Sequence, residues 1–402
     1  MYGYNSFYFH FLIIYLIYGC FVISINRPKR IIDFSKSGNG VINTPWDFCN
    51  LTRSRKRMIF LLSFPLFLLG ILRGDTVGGD LEFYIAYFDE FCKLNSFWDV
   101  SYVSSHEPGY QLYTYLISRL CSSHLAFFFF TFVLSLIGPV YMIAKYSTMP
   151  LYSFFLYFSL GFYTNTFNNV RQSIAISICF LAFRFLFNRD FLKYLGMVLL
   201  ATTFHYSAII TLLMYPLVGN KVTIKKIIIY FSAGVGLYIL ASIDILSFFI
   251  NLLAFKYGDM DLAITSESKG YGMMALYALI LLGELFLYRR SKMIILKRGK
   301  INIKHNTDRM SFFIQLQLLA LLCQMFAPLF ASMLRMTYYF FIPIVVVIPY
   351  LASTYKPYRK TILTISTILA LLYVSIVFGL NKELNSNSQG VIPYVLINTV
   401  IY

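Results

Sequence analysis

The residues with the types that chemistry needs gather around one stretch, Asn165 to Tyr206. It opens with Asn165-Thr166-Phe167-Asn168-Asn169-Val170-Arg171-Gln172 and closes with Thr203-Phe204-His205-Tyr206, with apolar sequence around each cluster. An arginine set among amides in otherwise lipid-soluble sequence is costly unless an anion or a water-filled cavity receives it. Outside the stretch stand Asp75, Asp80, His106, Glu107 and Arg335. Guanidinium groups pair bidentately with phosphate and pyrophosphate. A carboxylate or an imidazole takes a proton from an attacking hydroxyl. Aromatic rings stack on sugar faces. Together these types suit group transfer at an anionic lipid carrier.

The elements that must position them are membrane helices. Of the 402 residues 58% are hydrophobic and only 13% charged, which places the chain in the all-α polytopic membrane class. At roughly 20 apolar residues per crossing there is room for about ten to twelve helices, partial or re-entrant ones included. The chain reads as a single transmembrane domain over 1–402. The net charge of +17 falls in short segments between apolar runs, the pattern of cytoplasmic loops, so it reports topology and implies no nucleic-acid partner. The six cysteines are scattered without a C-x-x-C pair and indicate neither a disulfide framework nor a metal site. The first apolar run has no basic residue before it and is expected to be a retained span and no signal peptide.

Charge places the loops. Arg27 to Arg57 carries eight basic residues against two acidic ones, so this segment is expected inside and the N-terminus outside. Residues 73–107 invert the balance, with seven of the seventeen acidic residues of the chain and the turn Val77-Gly78-Gly79-Asp80. This reads as an acidic external loop, periplasmic or extracellular, and a functional one. The run 109–120 is short and is expected to be partial or re-entrant, which keeps every later basic loop inside. Phe191 to Val218 is 28 residues, about 42 Å as one helix, and is expected to break at His205. The basic stretch 289–310 reads as a cytoplasmic loop. Lys256 to Gly270 reads as a short external loop, and the tail Val391 to Tyr402 is left unassigned. With this parity Asp75, Asp80, His106, Glu107, Arg171, His205 and Arg335 all fall on the external side and can share one cleft.

Each has a structural reading too. An arginine at a helix end can snorkel to headgroups, which suits Arg119 and Arg184 better than Arg171. His205 can be an interhelical hydrogen-bonding residue, Glu107 a first-turn acid favoured by the helix dipole, and Asp75 and Asp80 loop solvation. No H-E-x-x-H occurs, and Asp75 and Asp80 lack further ligands at useful spacing, so no metal is indicated. Without a P-loop or a dinucleotide fingerprint, no cofactor is expected.

The order and spacing of these motifs resemble the EpsG-like branch of the Wzy polysaccharide polymerases. The likeness rests on Gly79-Asp80 with Tyr84 and Tyr87, Glu107-Pro108-Gly109-Tyr110, Asn169-Val170-Arg171-Gln172-Ser173-Ile174-Ala175, Ala201-Thr202-Thr203-Phe204-His205-Tyr206-Ser207-Ala208 and Arg335-Met336-Thr337-Tyr338-Tyr339-Phe340. It implies an enzyme of the bacterial cytoplasmic membrane that joins undecaprenyl-pyrophosphate-linked repeat units into O-antigen or a related surface polysaccharide at the outer face. Membrane lipid and the lipid-linked glycans would be its partners, with a polysaccharide chain-length regulator as a further one. Arg171 and Arg335 would hold the pyrophosphate, with Asn169, Gln172, Asp75 and Tyr84 as further substrate-binding residues. His205, Glu107 or Asp80 would orient or deprotonate the acceptor hydroxyl, and the sequence leaves open which. A flippase for lipid-linked oligosaccharide is the rival class, but it needs polar residues along the whole path. An O-antigen ligase is the chemical neighbour, but it carries a long later external loop that is absent here.

Overall fold

The acidic segment after residue 73 folds back into the protein. In the computed structural model, which describes residues 7–26, 51–74, 76–100, 106–242, 271–298, 303–329 and 331–375, it contains helix α3 (Leu81–Lys93). Leu81, Tyr84, Ile85, Phe88 and Phe91 recur at three- and four-residue spacing and form the buried face, while Glu82 and Glu90 face out. Helix α4 (Pro108–Leu120) lies against it. Arg119, near the end of α4, donates to the carbonyls of Phe91, Cys92 and Leu94 at 2.7, 3.1 and 2.8 Å, which satisfies the orphan acceptors at the end of α3. His124, the first residue of α5 (His124–Tyr146), pairs with Asp89 of α3 at 2.9 Å.

The described residues form fifteen α-helices and no strand, an all-α fold. The others are α1 (Phe7–Ile25), α2 (Arg53–Ile71), α6 (Pro150–Ser159), α7 (Phe162–Asn168), α8 (Val170–Phe187), α9 (Phe191–Thr202), α10 (Ile224–Ser242), α11 (Tyr271–Arg298), α12 (Ile303–Phe326), α13 (Ala331–Phe341), α14 (Ile344–Thr354) and α15 (Arg359–Ser375). Among the described residues six segments are long and apolar enough to cross a membrane: α1, α5, α8, Tyr271–Arg290 of α11, Arg309–Phe326 of α12 and the run Met333–Thr354. The protein is therefore a multi-pass membrane protein. At 13 residues, α4 is about 20 Å long, shorter than a hydrocarbon core of about 30 Å.

The chain divides into two compact units. The first comprises 1–185, 192–209 and 344–402, and the second 186–191 and 210–343. In the first, α2 packs along α5, where the ring of Phe132 covers Gly70. Tyr163 of α7 donates to the Leu66 carbonyl of α2 at 2.6 Å, and the Arg73 guanidinium is enclosed by the rings of Phe128, Phe132 and Phe167 at 5.3, 5.0 and 4.6 Å. In the second, α11 and α12 pair, with Ser311 donating to the Tyr288 hydroxyl at 3.3 Å. The basic stretch 289–310 is helical over 289–298 and 303–310. The segment 256–270 and the tail 391–402 lie outside the described residues.

Candidate active site

Two interruptions of helix in the first unit create the site. After α7 the backbone leaves helical geometry at Asn169 (φ −87°, ψ 59°) and resumes in α8 at once. Asn169 donates its side-chain amide to Asn165 Oδ1 at 2.8 Å, and its carbonyl accepts Ser173 N at 2.8 Å, so the break is held at both ends. Arg171 is thereby delivered in the first turn of α8. The second interruption follows α9. Thr203, Phe204 and His205 turn the chain, with His205 N donating to the Ala201 carbonyl at 3.0 Å, before a 3-10 segment begins at Tyr206. The break expected at His205 is present.

Helix α4 joins the second interruption to the acidic segment. Pro108 opens it, and a residue before proline is driven to extended geometry, as Glu107 is (φ −62°, ψ 142°). The Thr203 carbonyl accepts both Gly109 N at 2.8 Å and Tyr110 N at 3.3 Å, which satisfies two of the orphan donors that open α4. This contact requires glycine: a Cβ on Gly109 would lie 2.2 Å from Thr203 Oγ1 and 2.8 Å from its carbonyl oxygen. The Glu-Pro-Gly and Thr-Phe-His motifs are thus two halves of one junction.

At that junction Glu107 holds two partners. Its Oε2 accepts Arg171 Nη1 at 2.5 Å, and its Oε1 accepts His205 Nδ1 at 2.9 Å and Tyr206 N at 3.4 Å. An ionised carboxylate only accepts, so Nδ1 carries a proton and donates it to Glu107. Glu107 is 3% exposed, against 23% for the side chain of Arg171 and 15% for that of His205. Access to the cluster therefore runs through the arginine and the imidazole. Burial alone would raise the Glu107 carboxyl, but the His205 hydrogen bond and the Arg171 charge outweigh it and hold the group down at about 2.

An aromatic wall adjoins the cluster. The Tyr84 hydroxyl is hydrogen-bonded to Arg171, and its ring meets that of Tyr110 edge-on at 6.0 Å. His106 sits against Tyr87 and Tyr110, with ring centroids 4.5 and 6.0 Å apart. Burial, and then the Arg171 charge, lower His106 to about 4, with Glu107 opposing them. Its imidazole is neutral at neutral pH.

Of the residues singled out in the sequence, the structure joins Glu107, Arg171, His205 and Tyr84 directly. Asn169 forms the break beside them, and Gln172, 2% exposed, follows Arg171 in α8. Asp80 is exposed at the start of α3 and makes no hydrogen bond to the Glu107 cluster among the described residues. Its turn is nevertheless anchored nearby: Gly78, at φ 129°, packs where a Cβ would come 2.8 Å from the Phe167 carbonyl of α7. Asp75 lies outside the described residues. Arg335 is exposed on α13 in the second unit. The sequence did not disclose that Glu107 serves Arg171 and His205 together, although the close glycine after Pro108 was a sign that another backbone approaches there.

Among known proteins, no curated protein and no solved structure matches this chain. A family model does, over residues 56–396, a stretch that includes both interruptions, α3, α4 and the whole Glu107 cluster. The chain belongs to the EpsG family.

Proposed function

We propose that this protein is a repeat-unit polymerase of the bacterial cytoplasmic membrane, transferring a growing glycan from one undecaprenyl pyrophosphate to the terminal sugar of another lipid-linked repeat unit. Family membership supports a role in polysaccharide biosynthesis. The observation that carries the finer reading is the shared carboxylate: Glu107 aligns a guanidinium and an imidazole on its two oxygens. With Nδ1–H donated to Glu107, His205 Nε2 accepts the proton of the acceptor hydroxyl, and Glu107 stabilises the imidazolium that results. Arg171 has further N–H donors beyond the one given to Glu107, and these pair with the departing pyrophosphate. Glu107 is a positioning residue in this scheme, because its oxygens are engaged and its depressed carboxyl makes it a weak base.

The driving force is the sugar–pyrophosphate bond itself, consistent with a site on the outer face of the membrane. Arg335 is assigned to the pyrophosphate on its sequence motif. The test is the surface glycan of cells carrying Arg171→Ala or Arg335→Ala. The expected product is lipid-linked or surface glycan with a single repeat unit, with the protein still in the membrane. Normal chain-length ladders in both variants would rule the polymerase out, and repeat units stranded on the cytoplasmic face would point to transport.

A further inference from the structure

Building on the polymerase reading, we propose that transfer at the Glu107 cluster is a single displacement that inverts the anomeric configuration of the donor sugar. The stereochemistry of glycosyl transfer follows from what the carboxylates at a site are able to do. A double displacement needs a carboxylate oxygen free to bond the anomeric carbon. Glu107, the carboxylate at the centre of this cluster, has Oε2 on Arg171 and Oε1 on His205 and the Tyr206 amide, and is 3% exposed. A carboxyl held near 2 is also a poor nucleophile. Retention by front-face attack would pass the acceptor proton to the leaving pyrophosphate and would leave an imidazole base without a task. The dyad of Glu107 and His205 is instead what a direct attack needs.

The step balances without any further reactant. The acceptor oxygen bonds to the anomeric carbon as the bond from that carbon to the pyrophosphate oxygen breaks. The bonding pair leaves with undecaprenyl pyrophosphate, beside Arg171. The acceptor proton moves to His205 Nε2 and is later released to water. Arg171 and His205 are bound to different oxygens of one carboxylate, so the base and the leaving-group cation are two distinct groups held by Glu107.

The experiment uses the full-length protein in lipid nanodiscs, supplied with lipid-linked repeat units extracted from cells that carry it. The anomeric configuration of the sugar attached to pyrophosphate is read by NMR, and so is that of the same sugar in the new linkage between repeats. Opposite configurations are expected, and the same configuration would overturn the inference while leaving the polymerase intact. No polymer at all from the unaltered protein would bring down the polymerase reading and this inference with it. A second measurement is the intact mass of His205→Ala after exposure to the same units. An unchanged mass is expected, whereas a covalent glycosyl adduct would establish double displacement.

Discussion

Glu107 carries a guanidinium and an imidazole on one buried carboxylate, and the consequences of altering it can be separated. Glu107→Gln keeps the shape but loses the charge that fixes the His205 tautomer and stabilises its protonated form. Polymerisation should fall on the order of 10²- to 10⁴-fold, the range that general-base catalysis contributes, because His205 then loses the partner that makes it a base. The same change leaves Arg171 without its counter-ion, and removing one partner of a buried pair costs about 3–5 kcal/mol, less here because Arg171 is 23% exposed. The pH dependence has two windows. Both Glu107 and His106 are lowered in the folded state, so the unfolded chain binds more protons and stability falls with falling pH. His106 acts as pH drops from its ordinary 6.5 towards about 4, and Glu107 as it drops from 4.5 towards about 2. Thermal unfolding in detergent should show the upper window, and His106→Asn should remove it. An unchanged slope in that variant would contradict the assignment.

At the scale of elements, the site depends on helices that stop in the right places. Gly109→Ala forces α4 away from Thr203, as a Cβ cannot sit 2.2 Å from an oxygen. Activity should drop at least as far as in His205→Ala, and Thr203→Ala, which removes only the hydroxyl, should not restore it because the backbone oxygen is still 2.8 Å away. Arg119→Ala uncaps α3 and should lower thermal stability by about 1 kcal/mol or more. Much of this was legible in the sequence. Charge and apolar run length yielded the helices, and the excess length of 191–218 yielded the break at His205. Helix α3 was hidden because Glu82, Asp89 and Glu90 give the segment the composition of a solvated loop, although Leu81, Ile85, Phe88 and Phe91 keep helical spacing within it. The Glu107 pairing was hidden for another reason: it joins residues 64 and 98 positions apart, and composition carries no information on which distant side chains meet.

For the whole molecule, the family match spans residues 56–396 and so covers described parts of both units, while the Glu107 cluster is confined to the first. The second unit has its own anomaly. Glu284 of α11 is 2% exposed, and neither of its oxygens meets a hydrogen-bond partner among the described residues. Replacing a buried, unpaired carboxyl with an apolar side chain removes an unsatisfied polar group that costs about 1–3 kcal/mol, so Glu284→Leu should unfold at the same or a higher temperature. A large loss of stability would show that the carboxyl has a partner within the native protein. Transfer at this site requires Glu107 and His205 to act as one unit, and a double-mutant cycle measures that directly. Polymerisation of lipid-linked repeat units is followed in nanodiscs for Glu107→Gln, His205→Ala and the two combined. The predicted result is a double variant whose loss falls well short of the product of the two single losses. Losses that multiply, or ladders of normal length in either single variant, would contradict it.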